Sequence, residues 1–313
     1  MNAIATEPRA VRHYGRDELI HAIIAFVDDY SIEASPRDRD RVAGLHSLLG
    51  AGTEVYVAHP PSVTLDEVVD TAAQVQGAGF RAVPHLLARR LSGRQQLAAA
   101  LKRLRGAGVE RVLALAGDDH RCAGPFGQTL DVLETGLLEA NGFTAVGFAG
   151  HPEGIRGIDP DVLEAALAKK AACARRSGLA PYLVTQFGFD AQALFDWEAA
   201  TSGRCAALPI RAGLAGPTRL PQLLRFAVRC GIGESLSLLR KRTSALAGLA
   251  TTATPATLIA ACARHRLSHP DSHITGAHFF SFGGLETTAK WVEALRKGNL
   301  TLHADGDSFE VHA

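Results

Sequence analysis

No charge of one sign dominates this sequence: 33 Lys and Arg stand against 32 Asp and Glu, a formal net charge of +1. Without an extended field to recruit a polyanion, nucleic acid is not an expected partner. Apolar runs approaching the roughly 20 residues that span a bilayer are also missing, so no membrane association is expected. The N-terminal stretch mixes Glu7, Arg9, Arg12 and His13 with small residues and has neither a secretory apolar region nor a cleavage pattern. A cytoplasmic location is the corresponding expectation. Cysteine is sparse: Cys122, Cys173, Cys205, Cys230 and Cys262 are scattered, odd in number and without C-x-x-C spacing. That removes a disulfide framework and a zinc site and predicts buried thiols. The phosphate-cradling loop, the nucleophile elbow and the dinucleotide fingerprint are all absent. His85, His120 and His151 lie in different units, and no metal is expected.

What is present is core material in an alternating pattern. Apolar residues make up 47% and charged residues 21% of 313 positions, a length that α/β barrels reach as one core. Eight β-branched or apolar runs recur: 30–34 (YSIEA), 54–59 (EVYVAH), 81–86 (RAVPHL), 111–118 (RVLALAGD), 144–150 (TAVGFAG), 182–189 (YLVTQFGF), 207–214 (ALPIRAGL) and 276–283 (GAHFFSFG). Nearly continuous apolar runs are the mark of buried parallel strands. Helix signals separate them. Thr64 with Glu67 makes a capping box ahead of Leu65, Val68, Val69, Ala72 and Val75, with Gly77 as the stop. Ser92 with Gln95 predicts the same device before Leu97, Leu101 and Leu104, and Asp159-Pro160 opens a segment that Gly178 ends. About 60 residues separate the last two runs, with helical patterns near 220–228, 235–246 and 255–265. The prediction is a (β/α)₈ (TIM) barrel forming one catalytic domain over residues 1–313. It has an extra N-terminal helix and an elaborated connection before the last strand, of the kind that touches or gates a substrate.

A barrel buries its strands, so a polar residue at a strand's C-terminal end is costly unless it is hydrogen-bonded or catalytic. The runs place Glu33, His59, His85, Asp118, His151, Gln186 and Arg211 at such ends. Taken singly, each is equally well an ordinary satisfied residue at a loop start. Their recurrence on successive strands points to one polar mouth. Glu33 is the sharpest case, a carboxylate inside a strand-like run that would need an Arg or Lys partner if it were structural.

Several strings then carry a family resemblance. Ile32-Glu33-Ala34 with Pro36, Pro84-His85-Leu86, Leu115-Ala116-Gly117-Asp118, Gly150-His151-Pro152-Glu153-Gly154, Val184-Thr185-Gln186-Phe187 with Phe189-Asp190, and the turn at Gly213 appear in the order of the signatures of the methylenetetrahydrofolate reductase family, over residues 27 to 290. The resemblance implies an FAD laid over the strand C-termini without a Rossmann domain. It also implies alternating use of NAD(P)H and tetrahydrofolate derivatives. Glu33 aligns with the family's general acid and Asp118 with the carboxylate near flavin and pterin, the two residues with catalytic roles. Gln186 aligns with the amide that reads the pterin, and Leu220 falls where the family often has an aromatic stacked on the folate. Ala58, His59, His85, Ala116, Gly117, Asp118, His151, Glu164 and Lys170 fall at or near flavin-binding positions. The chain departs from the family with Ala58-His59 for Thr-Tyr, Ala116 for Arg, His151 for Tyr, Ile155 for His, and no Arg near Gly284. Two alternatives stay open at this level: direct hydride transfer from NAD(P)H to folate without flavin, and a non-catalytic barrel that binds folate or flavin. A homo-oligomer is compatible with all three.

Overall fold

A computed structural model describes residues 14–205, 207–230 and 252–313. Eight parallel strands close into a barrel: Ser31–Ala34, Glu54–Val57, Arg81–Leu87, Arg111–Leu115, Ala145–Gly150, Ala180–Thr185, Ile210–Ala215 and Ile274–Phe280. They follow one another around the barrel in chain order, and the eighth pairs with the first in parallel register, Ser31 opposite His278. All eight predicted runs are therefore strands of one (β/α)₈ barrel. An additional helix, Arg16–Asp28, packs against Ala256–Ser268 and Leu285–Arg296.

The local signals act largely as read. Thr64 and Glu67 form the reciprocal capping box of helix Leu65–Gly77, and Asp159 caps Pro160–Arg176. Ser92 is a correction. Its backbone N–H and hydroxyl donate to Gln96, not Gln95, and helix Arg94–Gly106 begins after Gly93. The elaborated connection contains helix Leu220–Arg229 and helix Ala256–Ser268, with Thr218–Arg219 paired antiparallel to Thr252–Ala253. The predicted helix 235–246 lies outside the described residues. Glu198, on helix Ala191–Cys205, ties the end of this connection to the barrel. Its carboxylate accepts from the Ser272 hydroxyl at 2.7 Å and the His273 N–H, and meets His265 Nε2 at 2.9 Å. Burial alone would raise its pKa, but these donors outweigh burial and hold it at about 2.

Strand ends differ from the predicted runs, and the differences matter for the site. The fourth strand stops at Leu115 because Gly117 takes φ +91°, a left-handed turn that an extended strand cannot include. Asp118 thus sits on the loop beyond the strand, and Gln186 likewise follows the end of the sixth. The seventh strand starts only at Ile210. Ala207 has φ +29° and Pro209 lacks an N–H, which delays pairing. Arg211 is consequently at the N-terminal end of its strand, opposite the predicted mouth. Cysteine is a further correction: Cys173 and Cys262 are buried, whereas Cys122 and Cys230 are exposed.

Candidate active site

Alternation along each strand sends every second side chain into the barrel, where three tiers form. At the bottom, the buried Glu54 carboxylate meets Arg111 at 2.7 Å and Arg211 at 3.2 Å, and Arg211 also meets Asp29 at 2.9 Å. In the middle, Tyr56, Val83, Leu113, Ala145, Tyr182 and Val184 pack together, and the Tyr56 hydroxyl donates to Tyr182 at 3.1 Å. His278 lies against Tyr56, with ring centroids 4.6 Å apart, and its Nδ1 is 2.9 Å from the Ser31 hydroxyl. Burial drives the pKa of His278 far below the usual imidazole range, so the ring is neutral.

Glu33 and His85 stand above this tier. Glu33 follows Ser31 by two residues on the same inward face, and its Oε2 lies 3.6 Å from His85 Nε2. Among the described residues, His85 is its only ion-pair neighbour. With no fixed cation beside it, burial raises the Glu33 carboxyl to about 8. Burial likewise depresses His85 to about 3, assisted by His59. At neutral pH the two are a neutral acid and a neutral imidazole, so their proximity is not a salt bridge.

A cavity of about 320 Å³ opens beyond the ends of the fifth and sixth strands, and neither Glu33 nor His85 is among its walls. Asp118, His151 and Gln186 all line it, together with Glu153, Ile155, Arg156, Thr185, Phe187, Asp190 and Gly213. His151 is held near 4 by burial, with Lys170 depressing it further and Asp118 opposing. Thr185 and Gly213 shape the wall. The Gly213 N–H donates to the Thr185 hydroxyl at 2.7 Å, and a Cβ on Gly213 would lie 2.1 Å from the Thr185 carbonyl oxygen. Gly213→Ala is expected to destabilise the fold by about 2 kcal/mol, the scale of overpacking a tight site, and to distort the cavity. Chemical denaturation of the purified variant checks this, and an unchanged midpoint would contradict it.

The other predicted site residues are placed elsewhere. His59 is buried, with Nε2 3.0 Å from the Val63 carbonyl, while Arg90 donates to the carbonyls of His59 and Pro60. The Ala116 carbonyl accepts from Arg89 N–H at 3.0 Å, and the turn at Gly117 carries Asp118 to the cavity rim. Ala58 donates its N–H to Ala34 at 2.8 Å. Lys170 lies over the Phe148 ring at 5.4 Å, and Glu164 is half-buried on the same helix. Leu220 packs in an apolar cluster with Phe187, Phe226, Phe280 and Phe282, in which Phe226 and Phe282 stack at 4.1 Å. The structure therefore brings Asp118, His151 and Gln186 to one cavity and Glu33 to His85, whereas Glu33, His85, Ala58, His59, Ala116, Gly117, Glu164, Lys170 and Leu220 are not among that cavity's walls. Sequence reasoning missed the aromatic cluster, although 280–282 reads Phe-Ser-Phe at a predicted strand end. It also missed Ser31 and His278, 247 residues apart.

A family model described as methylenetetrahydrofolate reductase matches residues 56–241, more than half of the chain. The chain belongs to that family. Its general function is accordingly that of a methylenetetrahydrofolate reductase-like oxidoreductase of folate one-carbon metabolism. Two solved structures are similar in outline. A 3-dehydroquinate dehydratase from Aquifex aeolicus VF5 is 7% identical, with 86% of this chain and 97% of that chain covered and a TM-score of 0.42. An oxaloacetate acetylhydrolase, in complex with the inhibitor 3,3-difluorooxalacetate, is 11% identical, with 90% and 83% covered and a TM-score of 0.47. At these levels neither likeness carries anything about the chemistry of this family member. Among the described residues no helix is long and apolar enough to cross a membrane, and no cluster of three or more metal-ligating side chains occurs.

Proposed function

We propose that this family member interconverts 5,10-methylenetetrahydrofolate and 5-methyltetrahydrofolate, using NAD(P)H and a bound FAD, with Glu33 as the general acid. The observation that carries the reading is the placing of Glu33, half-buried with its Oε2 3.6 Å from His85 Nε2 and no cation paired with it among the described residues, where desolvation pushes its carboxyl up to about 8. Opening the five-membered ring of methylenetetrahydrofolate requires a proton at the departing nitrogen. An acid still protonated near neutrality supplies it. As the carbon–nitrogen bond breaks, its electron pair stays with that nitrogen and the Glu33 proton neutralises it, leaving an N5 iminium able to accept hydride. Asp118, an anion at the cavity rim, stabilises that cation and accepts from the pterin amino edge. Gln186, with one donor and one acceptor face, suits the amide-like pterin edge.

The residues present are compatible with a flavin. The cavity supplies polar groups of both senses from His151, Arg156 and Gln186, and the buried Nε2 of His85 has no hydrogen-bond partner among the described residues. His85, His151, Lys170 and the Ala116-Gly117-Asp118 turn are the residues that would hold the cofactor. When bound, it would supply the hydride transfer between nicotinamide and folate. One observation favours a second reading, direct transfer from nicotinamide to folate: the His59 ring, which replaces an aromatic of the family pattern, is engaged with the Val63 carbonyl. Purified protein that makes 5-methyltetrahydrofolate from the methylene form and NAD(P)H, and loses that activity when its flavin is stripped, supports the first reading. Activity untouched by stripping supports the second, and no activity in either direction refutes both.

The raised Glu33 pKa has two consequences in pH. Folate reduction should fall as pH rises through about 8, because the acid form disappears. Stability changes in the same sense. The folded protein binds more protons than the unfolded chain between 4.5 and about 8, so the contribution is fully present below 4.5 and lost as pH rises through 8. Glu33→Gln should therefore be more stable than the parent at pH above 8, by urea denaturation. An equal or lower midpoint there would show that Glu33 ionises freely.

A further inference from the structure

Two consecutive acids, Asp118 and Asp119, follow the fourth strand, and they have separate fates. Asp118 is among the cavity walls and Asp119 is not. Asp119 instead pairs with Arg90, whose Nε lies 2.7 Å from Asp119 Oδ2 and whose side chain is only 17% exposed. The same guanidinium reaches to the loop after the second strand, where Nη1 donates to the carbonyls of His59 and Pro60, each at 2.9 Å. One arginine, on the short turn Ala88–Arg90 that follows the third strand, therefore ties the second and fourth loops together.

Arg89 fastens the fourth loop along its length. Its backbone N–H donates to the Ala116 carbonyl at 3.0 Å, and its carbonyl accepts from the Ala123 N–H at 2.7 Å. Its guanidinium donates to the carbonyls of Gly127 at 3.0 Å and Asp119 at 3.3 Å. Residues 116–127 contain no helix or strand, so their backbone groups depend on partners of this kind for order. Arginine suits the task, because its planar fork of donors serves several acceptors at once. Resting on the reading of Asp118 as the carboxylate that meets the pterin, we propose that Arg89 and Arg90 are positioning residues that hold Asp118 at the cavity. Arg90 does so by engaging the adjacent acid, which keeps Asp119 out of the site, and Arg89 by fixing the backbone on either side of Asp118, at Ala116 and Asp119. Neither arginine is among the cavity walls, so each acts through Asp118 and not on the folate itself. Placement carries weight at such a site: a shift of about 1 Å in a group that meets the reacting molecule can cost on the order of 10²-fold in rate.

The test is a double-mutant cycle on the full-length protein, read by equilibrium binding of 5-methyltetrahydrofolate. Arg90→Ala should weaken binding about tenfold, the scale of one lost hydrogen bond to a charged group. Arg90→Lys keeps the charge but cannot span both loops, and should fall between the parent and the alanine variant. Asp119→Ala cuts the same contact at a more exposed residue; it should reproduce the loss and stands in for Arg90→Ala if that variant folds poorly. The decisive arm is the Asp118→Ala background, where adding Arg90→Ala should weaken binding by less than about twofold, because the residue through which Arg90 acts is already gone. An equal loss in both backgrounds would assign Arg90 a merely structural role, and no loss in the parent background would remove it from the site; either result overturns the proposal. Failure of the underlying reading is distinguishable, because Asp118→Ala alone would then bind the folate as the parent does.

Discussion

Glu33→Gln is expected to slow the folate half-reaction by about 10²- to 10⁴-fold, the usual contribution of a positioned general acid, while reduction of the enzyme by NAD(P)H proceeds at the parental rate. The two halves separate because only ring opening needs a proton from the protein. Glutamine preserves shape and polarity beside His85 but has no transferable proton at neutral pH. Burial strengthens the expectation. Raised to about 8, the carboxyl is protonated over the range in which ordinary carboxylates are not. Stopped-flow measurement of each half-reaction decides the matter: equal impairment of both would point to a damaged cavity, and impairment of neither would remove Glu33 from the chemistry.

The second large effect concerns stability. Glu54 is buried at the barrel bottom and serves as anion for Arg111 and Arg211, with Arg81 at 4.0 Å. Replacing it with leucine strands Arg211, whose side chain is only 12% exposed and which then keeps Asp29 alone. Breaking a buried pair from one side costs about 3–5 kcal/mol. Glu54→Leu should lose stability on that scale in urea titration, whereas Glu54→Leu combined with Arg211→Leu should lose less than the sum of the single changes. A loss below about 1 kcal/mol in the single variant would mean that solvent screens the cluster.

Much of the barrel is legible from local patterning, because eight apolar runs and the caps between them are short-range features. Thr64 with Glu67 and Asp159 with Pro160 behave as read since each device is complete within a few residues. Legibility fails where geometry depends on closure. Arg211 reads as a strand-end residue, yet Pro209 and the strained Ala207 delay its strand and put it at the bottom with Glu54 and Asp29. The same limit hides the Ser31–His278 contact, which exists only because the eighth strand returns to pair with the first. Asp118 and Gln186, chosen by resemblance, do face one cavity, but from loops beyond their strands. Glu33 was conspicuous for the opposite reason. A carboxylate in an apolar run demands either a partner or a function, and among the described residues its ion-pair neighbour is a neutral imidazole.

The proposed hydride path runs from nicotinamide through a bound flavin to a folate activated by Glu33. An anaerobic absorbance cycle on the purified protein tests it most directly. A flavin band should bleach on addition of NAD(P)H and return on addition of 5,10-methylenetetrahydrofolate, with the return lost in Glu33→Gln. A colourless protein, or a bleached band that the folate fails to restore in the parent enzyme, would contradict it.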